Sequence, residues 1–280
     1  MKRYIGLLSC LCCSVAIAKT DNQPSQLIKK STMHASVTLG YGGIENPVVN
    51  ADDITSPILP SFAYYGDSWY FDNFALGYSL IEESSYFIDI LGRFNDDGFF
   101  FELDGIENLF VTGSVSSSPG RPSIPSATPI TLNPIKRDLS YMVGVSSAFN
   151  IYKDIWLDAA LLNDVTDVHN GHEFQLSGYR TFEFKGTLVS VEAGAIYKSG
   201  QLTKYYYTVA PFEAKARLPK YELRSAVNYH LKLGFEYPIN DSFSADFKIK
   251  YTWLDSHLAN SQMIDKKGYF SGFSGITYHF

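Results

Sequence analysis

The sequence predicts an all-β fold, a transmembrane antiparallel β-barrel of about 12 strands with a range of roughly 10 to 14. Three observations predict it. Long segments alternate between apolar and polar residues, and aromatic residues make up 15% of the chain. After the N-terminal segment, no apolar run reaches the roughly 18 residues of a helical membrane span. A chain that spans a membrane with strands must close them into a barrel.

Residues 241–255 show the clearest alternation. One face carries Ser, Asp, Lys and Thr, and the other is wholly apolar: Phe243, Ala245, Phe247, Ile249, Tyr251 and Trp253. Residues 227–237 repeat this design. Such strands exceed the usual soluble strand of about 5–6 residues and match the roughly 9–11 residues of a tilted membrane strand.

Weaker alternation marks the other candidate strands. In the second half they are residues 139–149, 155–163, 172–183, 187–198 and 268–280. In the first half they are residues 33–41, 58–65, 68–73, 76–81 and 85–94. Arg180 shares the apolar face of its strand, so we expect it near a membrane interface.

The connections between these strands alternate in length. The short ones are residues 152–154, 184–186 and 238–241, and the long ones are residues 164–171, 199–222 and 256–267. Outer-membrane barrels have short periplasmic turns and longer outer loops. We therefore expect the short turns to face the periplasm.

The longest predicted outer loop is residues 95–138, and its stretch 113–134 contains five prolines. Proline cannot donate to a strand ladder, and this Pro/Ser-rich composition favours a flexible surface loop. A plug of the lumen or a contact site for another molecule is the alternative interpretation.

The N-terminal segment predicts export. Two basic residues precede an uncharged apolar stretch that ends with small residues at Ala16 and Ala18. This is the layout of a signal peptide, residues 1–18, cleaved after Ala18. The stretch is too short for a membrane anchor, and lipidation at Cys10 is the minor alternative. Residues 19–32 would then form a periplasmic segment.

Cysteine content and charge narrow the function. All three cysteines lie in the predicted signal peptide, so the mature chain lacks disulfides, thiolate metal ligands and thiol nucleophiles. The full chain has a net charge of −6 at pH 7, and removal of a basic signal peptide makes the mature chain more acidic. Binding to nucleic acid is therefore not expected.

The barrel is expected to occupy residues 33–280 and to end in a strand whose lipid face carries Ile276, Tyr278 and Phe280. Outer-membrane lipid is the expected partner of that face. We also expect these three side chains to be the signal that the barrel-assembly machinery recognises. The predicted location is the outer membrane of a Gram-negative cell.

One outer loop carries a pattern with a possible metal chemistry. His169 and His172 lie close to Asp164, Asp167 and Glu173. Imidazole and carboxylate groups can hold a divalent cation. The spacing is not that of helical zinc sites, and a solvated acidic loop is favoured. No metal or cofactor is therefore predicted.

A second pattern admits a catalytic interpretation. Asn228 and His230 share the predicted lumen face with Ser244 on the adjacent strand, which are the residue types of an esterase triad. Inward polar residues are also what any water-accessible lumen requires. The sequence therefore predicts a protein that is not an enzyme.

The predicted lumen carries charges of both signs. The basic and acidic residues of the strands before the last one are Lys232, Glu236, Asp246, Lys248 and Lys250. Further acidic residues predicted to face the same space are Asp158, Glu173 and Glu192. Pairing across neighbouring strands would brace the interior. A narrow or plugged pore is thus expected rather than a wide diffusion pore.

Three stretches carry a resemblance to a known family. They are "SPILPSFAYYGDSWYFDNFALGYSLI" at residues 56–81, "YYYTV" at 205–209 and "FSGFSGITYHF" at 270–280. In this order they resemble the MipA/OmpV family of Gram-negative outer-membrane proteins, from about residue 33 to the end. The Pro/Ser-rich stretch 113–134 departs from the compact loop expected there.

The resemblance implies a scaffold role in murein (peptidoglycan) synthesis. Members of the family are linked to bringing a lytic transglycosylase (MltA) together with a bifunctional murein synthase. The short periplasmic turns do not themselves predict that role. The alternatives are a narrow channel for small solutes and a surface adhesin that uses the outer loops.

Overall fold

The computed structural model describes residues 32–102, 135–210, 213 and 221–280. Three predictions fall outside these residues. They are the signal peptide with Ala16 and Ala18, nearly all of the periplasmic segment 19–32, and the form of the Pro/Ser-rich stretch 113–134. These three remain predictions from the sequence.

Twelve antiparallel strands within the described residues form a closed barrel. They are β1 (Thr32–Ile44), β2 (Ile54–Tyr65), β3 (Trp69–Asp72), β4 (Ala75–Glu83), β5 (Tyr86–Phe94), β6 (Tyr141–Tyr152), β7 (Ile155–Asp164), β8 (His172–Phe184), β9 (Thr187–Lys198), β10 (Ala226–Pro238), β11 (Phe243–Trp253) and β12 (Gly268–His279). Strands adjacent in sequence pair with each other, and β12 closes the barrel by pairing with β1. The predicted fold class and strand number are confirmed.

Side chains alternate between the outer wall and the lumen. Along β10, the outward Tyr229 and Tyr237 are 58% and 52% exposed, whereas the inward Asn228 and His230 are 1% and 2% exposed. The apolar set faces outward because hydrocarbon, not water, surrounds the wall of a membrane barrel. The period of two seen in the sequence is therefore the period of this wall.

The two ends of the barrel differ. Three short helices lie in the described outer connections: α1 (Asp96–Glu102), α2 (Gly200–Tyr207) and α3 (Ser256–Ala259). No helix in the described part of the chain is long and apolar enough to cross a membrane. At the opposite end the turns are short. Lys185 and Gly186 form a two-residue hairpin turn with φ values of 51° and 77°, the left-handed geometry that suits twisted strands.

The wall is thinnest at β3, which spans only Trp69–Asp72. Of the β2 residues, only Ala63–Tyr65 pair with β3. The turn from β3 to β4 consists of Asn73 and Phe74, both with positive φ. This two-residue turn points toward the outer end of the barrel, where the other described connections are long. The alternation of short periplasmic turns and long outer loops therefore fails at this point.

Side-chain hydrogen bonds replace the missing ladder around β3. The Tyr65 hydroxyl donates to Asp72, and the Tyr70 hydroxyl donates to Asp89 on β5, each at 3.1 Å. The ring of Tyr70 passes over Gly77, where an added Cβ would lie 2.0 Å from the ring. Only glycine therefore leaves room for this brace.

The first and last outer connections are joined across the closing seam of the barrel. The Val49 N–H donates to the Met263 carbonyl at 2.8 Å, and the Asp265 N–H donates to the Pro47 carbonyl at 3.1 Å. Val48 and Ile264 form an isolated β-bridge between them. These bonds link the loop after β1 to the loop before β12.

Candidate functional site

A hydrophobic core closes the outer mouth of the barrel. It contains residues of α1, α2 and α3, of the outer connections, and of strand ends on several sides of the barrel: Ile44, Val48, Ile54, Phe99, Phe100, Met142, Leu162, Leu202, Tyr206, Tyr207, Leu223, Ala226, Leu258, Met263 and Ile264. Because β1, β2, β6, β7 and β10 all contribute, the core extends from wall to wall. We call this core and the segments that carry it the outer cap.

Helix α2 supplies the centre of the outer cap. Ser199 caps its N-terminus by accepting a hydrogen bond from the Leu202 N–H. Tyr206 and Tyr207 are buried, and the Tyr206 hydroxyl donates to the Asp138 carbonyl at 3.1 Å. A buried tyrosine is stable when its hydroxyl finds such a partner. The "YYYTV" stretch is therefore largely a buried face of the cap.

Paired charges fix the outer cap to the wall. Lys198 at the end of β9 donates to both carboxylate oxygens of Asp97 in α1, at 2.5 and 2.7 Å. The Tyr207 hydroxyl donates to the same carboxylate at 2.7 Å. Burial and the nearby Asp97 raise the pKa of Tyr207 well above its usual value. Removing any one of these groups would leave a buried charge or hydroxyl without its partner, which is destabilising.

Glu173, one of the predicted lumen acids, lies directly beneath the outer cap. It forms an ion pair with Arg93 of β5, and both side chains are largely buried. Arg93 also pairs with Asp96 at 3.3 Å. This ion pair joins β5 to β8 at the level where α1 meets the wall, and not two neighbouring strands as the sequence suggested for the lumen charges.

The β7–β8 loop does not assemble the ligand set that its spacing allowed. The Asp164 carboxylate accepts hydrogen bonds from the backbone of Thr166, His169 and Asn170. Both ring nitrogens of His169 are occupied, by the Gly171 N–H at 2.9 Å and by Ser140 Oγ at 3.0 Å. Among the described residues no three metal-type ligands converge.

The loop is also less solvated than the sequence suggested. His169 is 6% exposed, and burial lowers its pKa. His172 instead stacks on Tyr197, with 5.9 Å between ring centroids. The favoured interpretation of a solvated acidic loop was wrong for His169, because its ring packs against Tyr206 of the outer cap, with 5.7 Å between ring centroids.

The central lumen charges pair only in part. Glu192 of β9 accepts from His230 Nε2 at 3.0 Å and lies 3.4 Å from Lys232 Nζ. Lys232 is directly opposite Glu192 on one side and Lys250 on the other.

Nearer the short turns, Glu236 is directly opposite Asp246. Lys248 stands two residues further along the same face of β11. The interior is thus lined by charges of both signs on three adjacent strands.

The three residues of the candidate triad, Asn228, His230 and Ser244, do not meet. The Asn228 amide oxygen accepts from the Asp255 N–H at 2.9 Å, and His230 is bonded to Glu192. Ser244 Oγ donates to Asp246 at 2.7 Å and lies 2.9 Å from His279 Nε2. A serine that donates to a carboxylate is held in a structural hydrogen bond. The absence of enzymatic activity stays a prediction.

The last residues lie on the outer wall at the end with the short turns. Phe280 is 78% exposed, and its N–H donates to the Ala35 carbonyl at 3.0 Å. Tyr278 packs edge-on against Phe280, with ring centroids 4.8 Å apart, and Ile276 is 45% exposed. Their predicted role in barrel assembly remains a prediction.

An aromatic outer wall, a charged interior and a capped mouth define a β-barrel protein of the outer membrane. A sequence model of the family described as "MltA-interacting protein MipA" matches residues 38–280. The chain belongs to this family, as its resemblance to MipA/OmpV proteins suggested.

Several curated proteins are similar to the chain. The putative outer membrane protein YiaT of Escherichia coli O157:H7 is 22% identical, with 89% of this chain and 93% of YiaT covered. The MltA-interacting protein of E. coli K12 is 24% identical, with 88% and 90% covered. OmpV of Vibrio cholerae is 25% identical over a shorter region, 42% of this chain and 46% of OmpV. The chain is an outer-membrane protein, as predicted.

Proposed function

We propose that this chain is a non-enzymatic scaffold of the outer membrane that serves murein synthesis by holding a lytic transglycosylase near the membrane. The observation that carries the proposal is the outer cap. A core that spans the mouth from wall to wall, with Leu202, Leu258 and Met263 fully buried, supports a binding role over a transport role.

The interior beneath the outer cap supports the same proposal. The ion pairs Lys198–Asp97 and Arg93–Glu173 are buried directly under the apolar core. Displacing α1 to open a passage there would break the buried Lys198–Asp97 pair, and separating such a pair is strongly destabilising. A barrel built in this way is suited to being a rigid platform.

The partner is expected to bind at the periplasmic end of the barrel, because murein lies in the periplasm. A relative of this chain is named for interaction with MltA, and we carry that partner over as part of the proposal. The turns at the periplasmic end are short, and residues 19–32 are the longest candidate segment on that side. We therefore assign the docking to that segment, with a bifunctional murein synthase as the further partner.

The test uses the barrel in phospholipid nanodiscs and an immobilised lytic transglycosylase. The mature chain from residue 19 and a chain that begins at residue 32 are compared, and both are checked for the folded, heat-modifiable form on gels. Retention of the longer chain and loss of the shorter one is expected. Equal retention would remove residues 19–31 from the proposal, and no retention of either chain would end it.

Planar-bilayer recording tests the competing role as a narrow channel. The folded barrel is expected to carry no steady current, because the outer cap fills the mouth. Steady single-channel steps from the folded protein would favour the channel. This outcome is independent of the binding assay.

A further inference from the structure

The outer half of β2 has no strand partner on its β3 side. Backbone pairing with β3 stops at Ala63, and the backbone of the turn bonds no further than Phe62, while the Asn73 amide donates to Ser61 Oγ at 3.2 Å. From Ile54 to Ser61, β2 pairs with β1 alone among the described residues. At about 3.3 Å per residue, this edge is roughly 25 Å long.

The backbone N–H groups between Ile58 and Phe62 on this edge are satisfied locally or absent. The Phe62 N–H donates to Asn73 Oδ1 at 3.1 Å, and its carbonyl accepts from the Asn73 N–H at 3.0 Å. Alternation along a strand points the groups of Pro60 and Ile58 to the same side. Pro60 has no N–H, and Ser56 Oγ accepts from the Ile58 N–H at 3.2 Å and donates to its carbonyl at 2.6 Å.

These bonds decide what can occupy the edge. A partner strand would need N–H donors facing it, and none is left between Ile58 and Phe62. An edge with unpaired N–H groups would be costly in a bilayer. Between Ile58 and Phe62 this edge has none, so it needs no hydrogen-bond acceptor from its surroundings. A hydrocarbon chain, which forms no hydrogen bonds, fits such an edge.

The edge lies beside the apolar wall. Ile58 is directly opposite Leu39, whose side chain is 60% exposed on the outside of β1. Below the edge, the rings of Phe62 and Phe71 are 5.9 Å apart, and Phe74 packs edge-on against Phe71. Apolar side chains therefore border the edge where it meets lipid.

We propose that the wall has a lateral opening between the outer half of β2 and the short β3–β4 hairpin, and that an acyl chain of a bilayer phospholipid occupies it. The inward side chain of Leu59 then contacts hydrocarbon, although it lies on the lumen face of β2. The lumen is thus closed by the outer cap at its mouth and by lipid at its side. This site is independent of the murein role.

The test measures the surroundings of a spin label at Leu59→Cys in dioleoylphosphatidylcholine nanodiscs. The only cysteines of the chain are Cys10, Cys12 and Cys13, so the introduced residue is unique in protein that starts at residue 19. Ile58→Cys provides an outward, lipid-facing reference. Ser190→Cys provides an inward reference on β9, where both neighbouring strands are fully paired.

The experiment measures how often the spin label collides with two reagents. Oxygen concentrates in lipid, whereas a nickel chelate stays in water. The label at Leu59 is expected to match the Ile58 label, with oxygen favoured several-fold over its value at Ser190. A label at Leu59 that behaves like the one at Ser190 would overturn the proposal. So would a label shielded from both reagents, because a segment of protein would then fill the opening. If Leu59→Cys does not fold, Ser61→Cys reports on the same face.

Discussion

The wall around β3 and the wall from β8 to β12 are built in different ways. From β8 to β12, backbone ladders run along nearly the whole strands, and β10 pairs with β11 without a register shift from Tyr229 to Pro238. Around β3 the backbone ladder is short, and side-chain hydrogen bonds hold the strands together instead. They are made by the hydroxyls of Tyr65 and Tyr70 and by the amide of Asn73. Because backbone pairing is independent of side-chain identity, we expect the wall from β8 to β12 to tolerate substitution better than the wall around β3.

The largest expected effect comes from adding one carbon at Gly77. The new Cβ would lie 2.0 Å from the Tyr70 ring, which must swing away and release Asp89. We expect Gly77→Ala to lower the free energy of unfolding by about 3 kcal/mol, as overpacking does. Urea titration of the barrel refolded into vesicles measures this.

The matched control is Gly178→Ala on β8. There the nearest atom to an added Cβ is 3.9 Å away, so no change beyond about 0.5 kcal/mol is expected. Equal losses in the two variants would show that the thin wall is no more sensitive than the regular one.

A smaller loss is expected at the β3–β4 turn. Asn73→Gly keeps the positive φ but removes the acceptor of the Phe62 N–H. The expected loss is about 1–2 kcal/mol, the cost of a buried group left unpaired. Asn150→Ala, near the end of β6, removes only an exposed side-chain hydrogen bond to the β6–β7 turn and should cost much less. The same urea titration compares both variants, and a larger loss at Asn150 would contradict the comparison.

Removing one hydroxyl should have a still smaller effect. Tyr65→Phe deletes the 3.1 Å hydrogen bond to Asp72 and should cost about 1 kcal/mol. Tyr229→Phe on the outer face of β10 serves as the control, because that side chain is 58% exposed. The thermal midpoint of gel migration separates the two variants, and identical midpoints would argue against a bracing role for Tyr65.

The smallest expected effect on stability is a pH dependence that comes from the outer cap, which contacts both walls. Because burial lowers the pKa of His169, the unfolded chain binds a proton there before the folded chain does. Its contribution to stability is present above the ordinary histidine pKa of about 6.5 and is lost as pH falls below that value. Urea midpoints should therefore drop between about pH 7.5 and pH 5.5. His169→Gln should flatten part of that drop, and an unchanged slope would exclude His169 as a cause.

The strands of both walls could be predicted closely from the sequence, whereas the side-chain bonds of the thin wall and the contacts of the outer cap could not. In β10 and β11, one face meets lipid and the other meets the polar lumen, so apolar and polar residues alternate. This alternation is clear over eleven residues of sequence. Residues 68–73 already indicated a short β3, but no local pattern showed that the side chain of Asn73 accepts the bond from the Phe62 N–H in place of a backbone partner. The burial of Tyr206 and His169 depends on contacts between distant outer connections, and only the Ser199 cap of α2 had a local signature.

The bonds between the first and last outer connections bear on how long the folded barrel survives. Val49 and Met263 come together only after β1 and β12 have met, because more than two hundred residues separate them. A contact of this kind forms late in folding, so its energy slows unfolding without speeding folding. The junction of Pro47–Val49 with Met263–Asp265 therefore lies over the closing seam, and we expect it to lengthen the lifetime of the folded barrel.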